Sequence, residues 1–588
     1  MDSRVIPDSG PIADSGPIAD SGPIADSGPI ADSGPIADAG TGADTGTGAD
    51  AGTGDAWQLE PGHYYEAIPW PSAAFAGQTA ADTEPFVIFP RPNSETEDYA
   101  RQRWAHPQMD YQIPIALRGG AFPYHLEIDM EGTSLELRSS IAIGANYDST
   151  NAYLVTIPAA TIADLASATE YTVSVRAIDQ AGKQLRVWWS FQREAADLDH
   201  FFFADNSAGT NGDGSFARPF DNIDEPGWLA AGDGASSAQK ILVIREGDSA
   251  SSPYQKFASW NWSPARFPAG IISIPGERPV IDCRGRTSLW GWQGARSNDG
   301  FFWGFKAING RTTYTTDWHG SFASEYGSSW NRALIGNLEL VVNARLAPNN
   351  FNPSVFNFNN VGRNPRKHIA FINITASDVL GADLPNGGAL IDMNGWKYAL
   401  VDNITLRNWG TSDVASQAIY SKRDISDVTI RRLTCLEGCN IGGYAVVDLR
   451  ADNRPNQQQY QNIEVTRCNW NAPSRYGLLY LRPSAFGFRG VDGPFYSYFN
   501  TSRGGTSAMT RIWQSCADTI ALDNNVGDQS IDVGSIVPTD FGGPPAVPTL
   551  SSNLEGVSSS DFQADGTLTD AYLASQGLSR GAVGHEIR

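Results

Sequence analysis

The chain has 588 residues and a formal net charge of −23, yet only 18% of its residues are charged. Broad acidity without clustered Lys and Arg argues against a nucleic-acid groove, and no apolar run approaches the roughly 20 residues that span a bilayer. With 60 Gly, 35 Pro and 17 Trp, the composition predicts turns and strands rather than helix bundles.

The charge is uneven. Residues 1–55 hold ten Asp and one basic residue, Arg4, and so carry −9 of the total. They form a six-residue repeat, Pro-Ile-Ala-Asp-Ser-Gly, with Ile at 6, 12, 18, 24, 30 and 36. One branched apolar residue per repeat cannot bury a core within a single chain. Two readings follow for residues 1–56: a solvated tether, or a repeat that orders by intertwining with its own copies or by docking on a partner. Met1-Asp2-Ser3-Arg4 opens neither a basic n-region nor an apolar h-region, so no secretory signal is expected. The five Cys (283, 435, 439, 468 and 516) are odd in number, which predicts reduced, buried thiols. Cys435 and Cys439 have C-x3-C spacing without a nearby His, so neither a zinc site nor another metal or cofactor is expected.

Residues 57–109 are Pro- and aromatic-rich without periodicity and read as an irregular collar. From 110 to 196 the pattern changes to short strands, several alternating with period two. They include Gln112–Leu117, Tyr124–Ile128, Ala152–Ile157, Tyr171–Ala177 and Leu185–Phe191. This spacing predicts a small β-sandwich. Ala177-Ile178-Asp179-Gln180-Ala181-Gly182 resembles the hairpin of immunoglobulin-like or cadherin-like modules, in architecture only, since the Cys…Trp…Cys signature is missing.

Residues 197–540 carry the strongest signal. Short strands recur as Asn337-Leu338-Glu339-Leu340, Asn373-Ile374-Thr375, Asn403-Ile404-Thr405-Leu406, Asp427-Val428-Thr429-Ile430 and Asn462-Ile463-Glu464-Val465. Their central apolar residues, 338, 374, 404, 428 and 463, are spaced as repeat architectures are. The spacing predicts a solenoid with a fixed rung and variable loops. Alternate apolar residues would face inward, with the preceding Asn stacking or bonding at a turn. Phe203-Ala204-Asp205-Asn206-Ser207-Ala208-Gly209-Thr210-Asn211-Gly212-Asp213-Gly214 comes before the strands Lys240–Glu246 and Gly270–Ile274. This succession resembles the entry to pectin-lyase-like right-handed parallel β-helices, which implies that fold over roughly residues 200–535. The predicted class is therefore mainly β: a right-handed parallel β-helix preceded by an Ig-like sandwich and the repeat. Residues 541–588, after Phe541-Gly542-Gly543-Pro544-Pro545, read as a terminal cap or tail with one helical stretch near 568–576.

Motifs for chemistry are few. Arg363-Asn364-Pro365-Arg366-Lys367-His368 has the Arg and Pro of a pectate-lyase signature but ends in His, so no lyase residue is carried over. Gly577-Leu578-Ser579-Arg580-Gly581 lacks the strand that a nucleophile elbow needs. Composition supplies two candidate regions. Residues 256–332 hold seven Trp, and Thr312–Trp330 is a long insertion before the Leu338 rung. Aromatic faces there (Trp290, Trp292, Tyr314, Trp318 and Trp330) suit sugar C–H surfaces, and Asp317 and Glu325 are candidate acids. The alternative is that these rings cover the solenoid's end. The second region has Trp396 and Trp409 as candidate glycan-binding rings, with Asp392 and Asp448 as candidate catalytic acids. Acids on neighbouring coils, about 4.8 Å apart per rung, would approach glycosidase spacing.

A repetitive tether, a small β module and a β-helix, without a secretion signal, resemble tailed-bacteriophage tailspikes and fibres. The resemblance implies a homotrimer, made in host cytoplasm and carried on the virion. Other virion proteins would be met through the repeat and a bacterial surface polysaccharide through the β-helix, with binding and depolymerisation both open. Two alternatives stand beside it. One is a structural head fibre or capsid decoration protein without activity. The other is a bacterial polysaccharide lyase or hydrolase exported by a non-classical route. No nucleic acid and no membrane insertion are expected.

Overall fold

In the computed structural model the described residues run from 64 to 585. Outside them lie 1–63, 68–85, 91–99, 132–138, 143–153, 224–240, 256–269, 284–289, 294–298, 310–322, 327–331, 343–354, 360–365, 380–388, 411–416, 451–459, 483–493, 513–519 and 534–548, with shorter gaps. The hexapeptide repeat and the Tyr314, Asp317, Trp318 and Trp330 insertion therefore lie outside the described residues.

The chain forms a parallel β-solenoid. An 18-stranded sheet runs from Phe201–Ala204 to Thr549–Ser551, and a 9-stranded sheet runs from Trp290–Gln293 to Ile531–Val533. Parallel pairing thus continues past the Phe541-Gly542-Gly543-Pro544-Pro545 segment at which the sequence suggested an end. In Arg332–Val341 the strand bends at Asn337, whose φ is 49°. Asn373 and Asn403 take the same left-handed conformation one and two rungs later, which Asn tolerates better than most side chains. The bend divides the large sheet into a first and a second face, and the nine-stranded sheet is the third. The expected amide stacking is present. Asn373 Nδ2 donates to Asn337 Oδ1 at 3.2 Å, and Asn403 Nδ2 donates to Asn373 Oδ1 at 3.1 Å.

One expected alignment is corrected. Ile404 pairs with Leu433, whereas Val428 pairs with Ala399 and Ile463. Asp427 and Asn462 sit at a different left-handed bend, with His368 and Tyr398, before the first face begins. The same Asn-then-apolar signature thus marks two corners of the coil, and sequence spacing merged them.

Alternation fills the interior. Ile335, Phe371, Val401, Ile430 and Val465 line it from the first face, and Leu338, Ile374, Ile404 and Leu433 from the second. Ile391, Ile419, Val447 and Leu479 line it from the third. All are essentially excluded from water. At roughly 25 cal/mol per Å² of apolar area, this interior is the main source of stability.

The residues before the solenoid form an antiparallel module. Glu170–Ile178 and Lys183–Arg193 make the expected hairpin, closed by Asp179 Oδ1 accepting from Lys183 N at 2.8 Å. His125–Glu131 pairs on the other side of Glu170–Ile178. The segment read as an irregular collar contributes Tyr64–Ala67 to this sheet, and its Phe86–Phe89 pairs with Ala116–Arg118. The module's core is continuous with the outward side of the first solenoid face. Val87, Leu117, Tyr111 and Trp189 share a cluster with Leu334, Ala370, Ile372 and Leu400.

Farther along, the outward positions turn charged, and the joint becomes polar. Arg431 Nη2 donates to Asp402 Oδ2 at 2.8 Å and to the Leu117 carbonyl at 2.9 Å. Arg432 Nε reaches Asp402 Oδ1 at 2.6 Å, and Arg467 Nη2 reaches the Phe122 carbonyl at 3.1 Å. The three guanidinium carbons lie 4.2, 5.2 and 5.8 Å from the centre of the Phe122 ring.

The cysteine expectation also needs correction. Cys435 and Cys439 form a disulfide with Cα atoms 6.3 Å apart. Gly438 turns the chain between them with φ 66°, which brings the two Cα atoms within bridging range. Cys283 and Cys468 are buried outside any disulfide, and burial pushes the Cys468 thiol up to about 12.

After the last strand, residues 555–585 fold back on the second face. Thr569 caps the helix Asp570–Ser575, its hydroxyl accepting from Tyr572 N at 3.3 Å. Val557, Phe562, Leu568, Leu573 and Val583 pack on Val526. The segment covers outward residues of the final rungs: Asn469 Nδ2 donates to the Asp565 carbonyl at 2.7 Å, and His585 Nδ1 lies 2.9 Å from Thr501 Oγ1. Leu550 continues the inward column of Leu522 and is 46% exposed.

Candidate functional site

On its later rungs the third face sets one outward residue between two strand neighbours: Ile391-Asp392-Met393, Ile419-Tyr420-Ser421, Val447-Asp448-Leu449, Leu479-Tyr480-Leu481, Thr510-Arg511-Ile512 and Ile531-Asp532-Val533. Backbone register aligns the central residues in one column, Asp392, Tyr420, Asp448, Tyr480, Arg511 and Asp532. Strand alternation makes this column outward, because its neighbours Ile391, Met393, Val447 and Leu449 fill the interior. Two sequence-predicted acids, Asp392 and Asp448, thus share a column.

They do not meet. Tyr420 stands between them, so their backbones are two rungs, or about 10 Å, apart. Asp392 is half-buried, whereas Asp448 is excluded from water and accepts from Gln417 Nε2 at 3.2 Å. Glycosidase carboxyls stand about 5 Å apart in retaining enzymes and about 6.5–9.5 Å apart in inverting ones, and the catalytic base must reach water. Asp448 is therefore placed to orient its surroundings rather than to activate water. Tyr420 and Tyr480 are also buried. At the far end the column reaches solvent, where Arg511 Nε lies 3.3 Å from Asp532 Oδ2 and its guanidinium sits 5.9 Å from the Tyr480 ring centre. Where it reaches solvent, the column offers the half-buried Asp392 carboxylate and, four rungs on, the Arg511–Asp532 pair; before Asp392 the register column continues through Asn357 and Ser324.

The other expected residues fall elsewhere. Trp396 and Trp409, expected as glycan-binding rings, lie in the coil interior at 1% exposure each. Trp396 stacks on Phe371 with ring centres 5.5 Å apart. Their positions continue the inward alternation, so neither ring has a face for a sugar. Trp290 and Trp292 lie on the first strand of the third face and Glu325 on the next, at Ala323–Tyr326. Trp290 shares its register column with Ala323 and Phe356, and Trp292 pairs with Glu325 and then Phe358. Tyr480, Arg511 and Asp532 are not among the sequence candidates; an apolar-X-apolar triplet marks Tyr480 and Asp532, whereas Thr510 breaks the pattern beside Arg511.

Among the described residues there is no group of three or more His, Cys, Asp or Glu able to hold a metal ion. No helix among them is long and apolar enough to cross a membrane. Neither protein-family models nor the sequences of curated proteins give a match to the chain.

Proposed function

We propose that the chain is a homotrimeric bacteriophage appendage of the tailspike or fibre kind, and that it binds a host surface polysaccharide along its solenoid. In this reading the coil is a right-handed, pectin-lyase-like β-helix. The antiparallel module is an Ig-like spacer, and residues 1–56 attach to other virion proteins. The observation that carries the reading is that the third-face column reaches solvent at Asp392 and, four rungs on, at the Arg511–Asp532 pair. A linear polymer laid along the face spans both places, about 19 Å apart at 4.8 Å per rung. The burial of Asp448 favours binding over cleavage.

The test is incubation of the purified protein with bacterial capsule and lipopolysaccharide preparations, reading both retention and size. Saturable retention without size reduction is expected. Size reduction would return the protein to the depolymerases, and the absence of any retention would favour a purely structural fibre. Deleting residues 1–56 should abolish incorporation into virions and leave trimerisation intact.

A further inference from the structure

The C-terminal end of the solenoid is built as though another rung followed. Thr549–Ser551 is the last strand of the 18-stranded sheet; among the described strands it pairs only with Ile520–Asp523, and all three of its residues are exposed. Leu550 ends the inward column after Leu522 and is the only exposed large hydrophobic residue among those described. A second amide ladder runs to the same end. Asn525 Oδ1 accepts from Asn500 N at 3.1 Å, and Asn553 Oδ1 accepts from Asn525 N at 2.9 Å. Asn553 is the last of the series, and no group among the described residues accepts from its own N–H. The third face, by contrast, is closed. Glu555 Oε2 accepts from Ile531 N at 2.8 Å, where a further rung would place a carbonyl. The opposite end of the coil is closed too. Phe203 N donates to the Gly214 carbonyl at 2.8 Å and Phe220 N to the Phe203 carbonyl at 2.9 Å, so residues 214–220 occupy the free side of Phe201–Ala204.

An unpaired strand with an apolar residue at its centre is a template for another strand. The incoming main chain supplies hydrogen bonds, and its alternate side chains cover the apolar position. Charge decides whose strand it is. Residues 512–579 hold nine Asp or Glu and no Lys or Arg. Two of these acids flank the open edge: Asp523 pairs in register with Ser551, and Glu555 follows the strand by four residues and is exposed. A second copy meeting this end with its own would set these carboxylates against their equivalents, which like charge disfavours. A copy stacked head to tail would have to offer Phe201–Ala204, whose free side is already taken. We propose that the Thr549–Ser551 edge docks an extended segment of a different protein by strand addition, with an apolar residue over Leu550 and Lys or Arg on either side. The inference rests on this end of the coil alone and stands whether or not the third-face column binds glycan.

Fluorescence anisotropy of labelled peptides titrated with the full chain tests the assignment. The probes are Lys-Val-Thr-Val-Thr-Lys, its acidic counterpart Glu-Val-Thr-Val-Thr-Glu, and Lys-Val-Pro-Val-Thr-Lys, whose proline removes a main-chain donor. Saturable binding of the first is expected, weakening as salt rises, with the other two about tenfold weaker or more. Bound peptide should slow hydrogen exchange at Thr549–Ser551. Leu550→Asn should weaken the cationic peptide by about tenfold or more, because the apolar contact is lost, and leave the melting temperature within a few degrees. No saturable binding of the cationic peptide, equal binding of the acidic one, protection away from Thr549–Ser551, or unchanged affinity in Leu550→Asn would each overturn the assignment. So would end-to-end association of the wild-type protein in sedimentation that Leu550→Asn abolishes, which would give the edge to a second copy. If Leu550→Asn does not fold, Glu555→Lys must weaken the cationic peptide and strengthen the acidic one for the assignment to stand.

Discussion

Arg431 and Asp402 meet at 2.8 Å with both side chains 1% exposed, at the joint between the antiparallel module and the solenoid. Burial alone would raise the Asp402 carboxyl, but the Arg431 and Arg432 guanidinia hold it below the usual range. Removing one member of such a pair strands the other in a medium that cannot solvate it. Asp402→Ala should therefore cost about 3–5 kcal/mol. Denaturant unfolding of the variant, with hydrogen exchange at residues 111–118, should show the loss concentrated at this joint.

The amide ladder sets a second expectation. Asn373 has φ 54° and bonds to both Asn337 and Asn403. Asn373→Ala loses two hydrogen bonds at about 1 kcal/mol each and adds roughly 1 kcal/mol of left-handed strain. Asn373→Gly relieves the strain and loses only the bonds. Thermal unfolding should rank wild type above Asn373→Gly and Asn373→Ala last.

A third concerns pH. Burial pushes the His585 imidazole down to about 4, helped by Arg503 and Arg467 and opposed by Asp565. The folded pKa lies below the ordinary value of 6.5, so the unfolded chain takes up the proton first. The stability of the 555–585 segment is full above pH 6.5 and falls as pH drops toward about 4. The loss approaches on the order of 3 kcal/mol at roughly 1.4 kcal/mol per pH unit. Hydrogen exchange of the helix Asp570–Ser575 should follow this slope in wild type and lose it in His585→Gln.

The interior tryptophans give a fourth. Trp396→Ala should cost about 3–5 kcal/mol, as for other large-to-small core changes. Any glycan affinity should be unchanged in the fraction that folds, because the ring has no outward face.

The coil was legible because alternation and corner Asn residues are local features. Leu338, Ile374 and Ile404 align as their spacing implied. Val428 did not align, because Asp427 and Asn403 look alike while occupying different corners. Pairing of Asp392 with Tyr420 and then Asp448 depends on loop lengths, which no local pattern encodes. Trp396 and Trp409 misled because a large aromatic between polar residues looks the same in sequence whether it faces inward or outward.

The most direct test of the polysaccharide reading is retention of the full-length protein on an array of bacterial capsular and lipopolysaccharide glycans, with wild type beside Asp392→Ala and Arg511→Ala. These two variants alter places where the third-face column reaches solvent. Wild type is expected to hold at least one glycan, and each variant to bind it at least tenfold more weakly with an unchanged melting temperature. Wild type retaining no glycan, or both variants binding as wild type does, would contradict the assignment of that column.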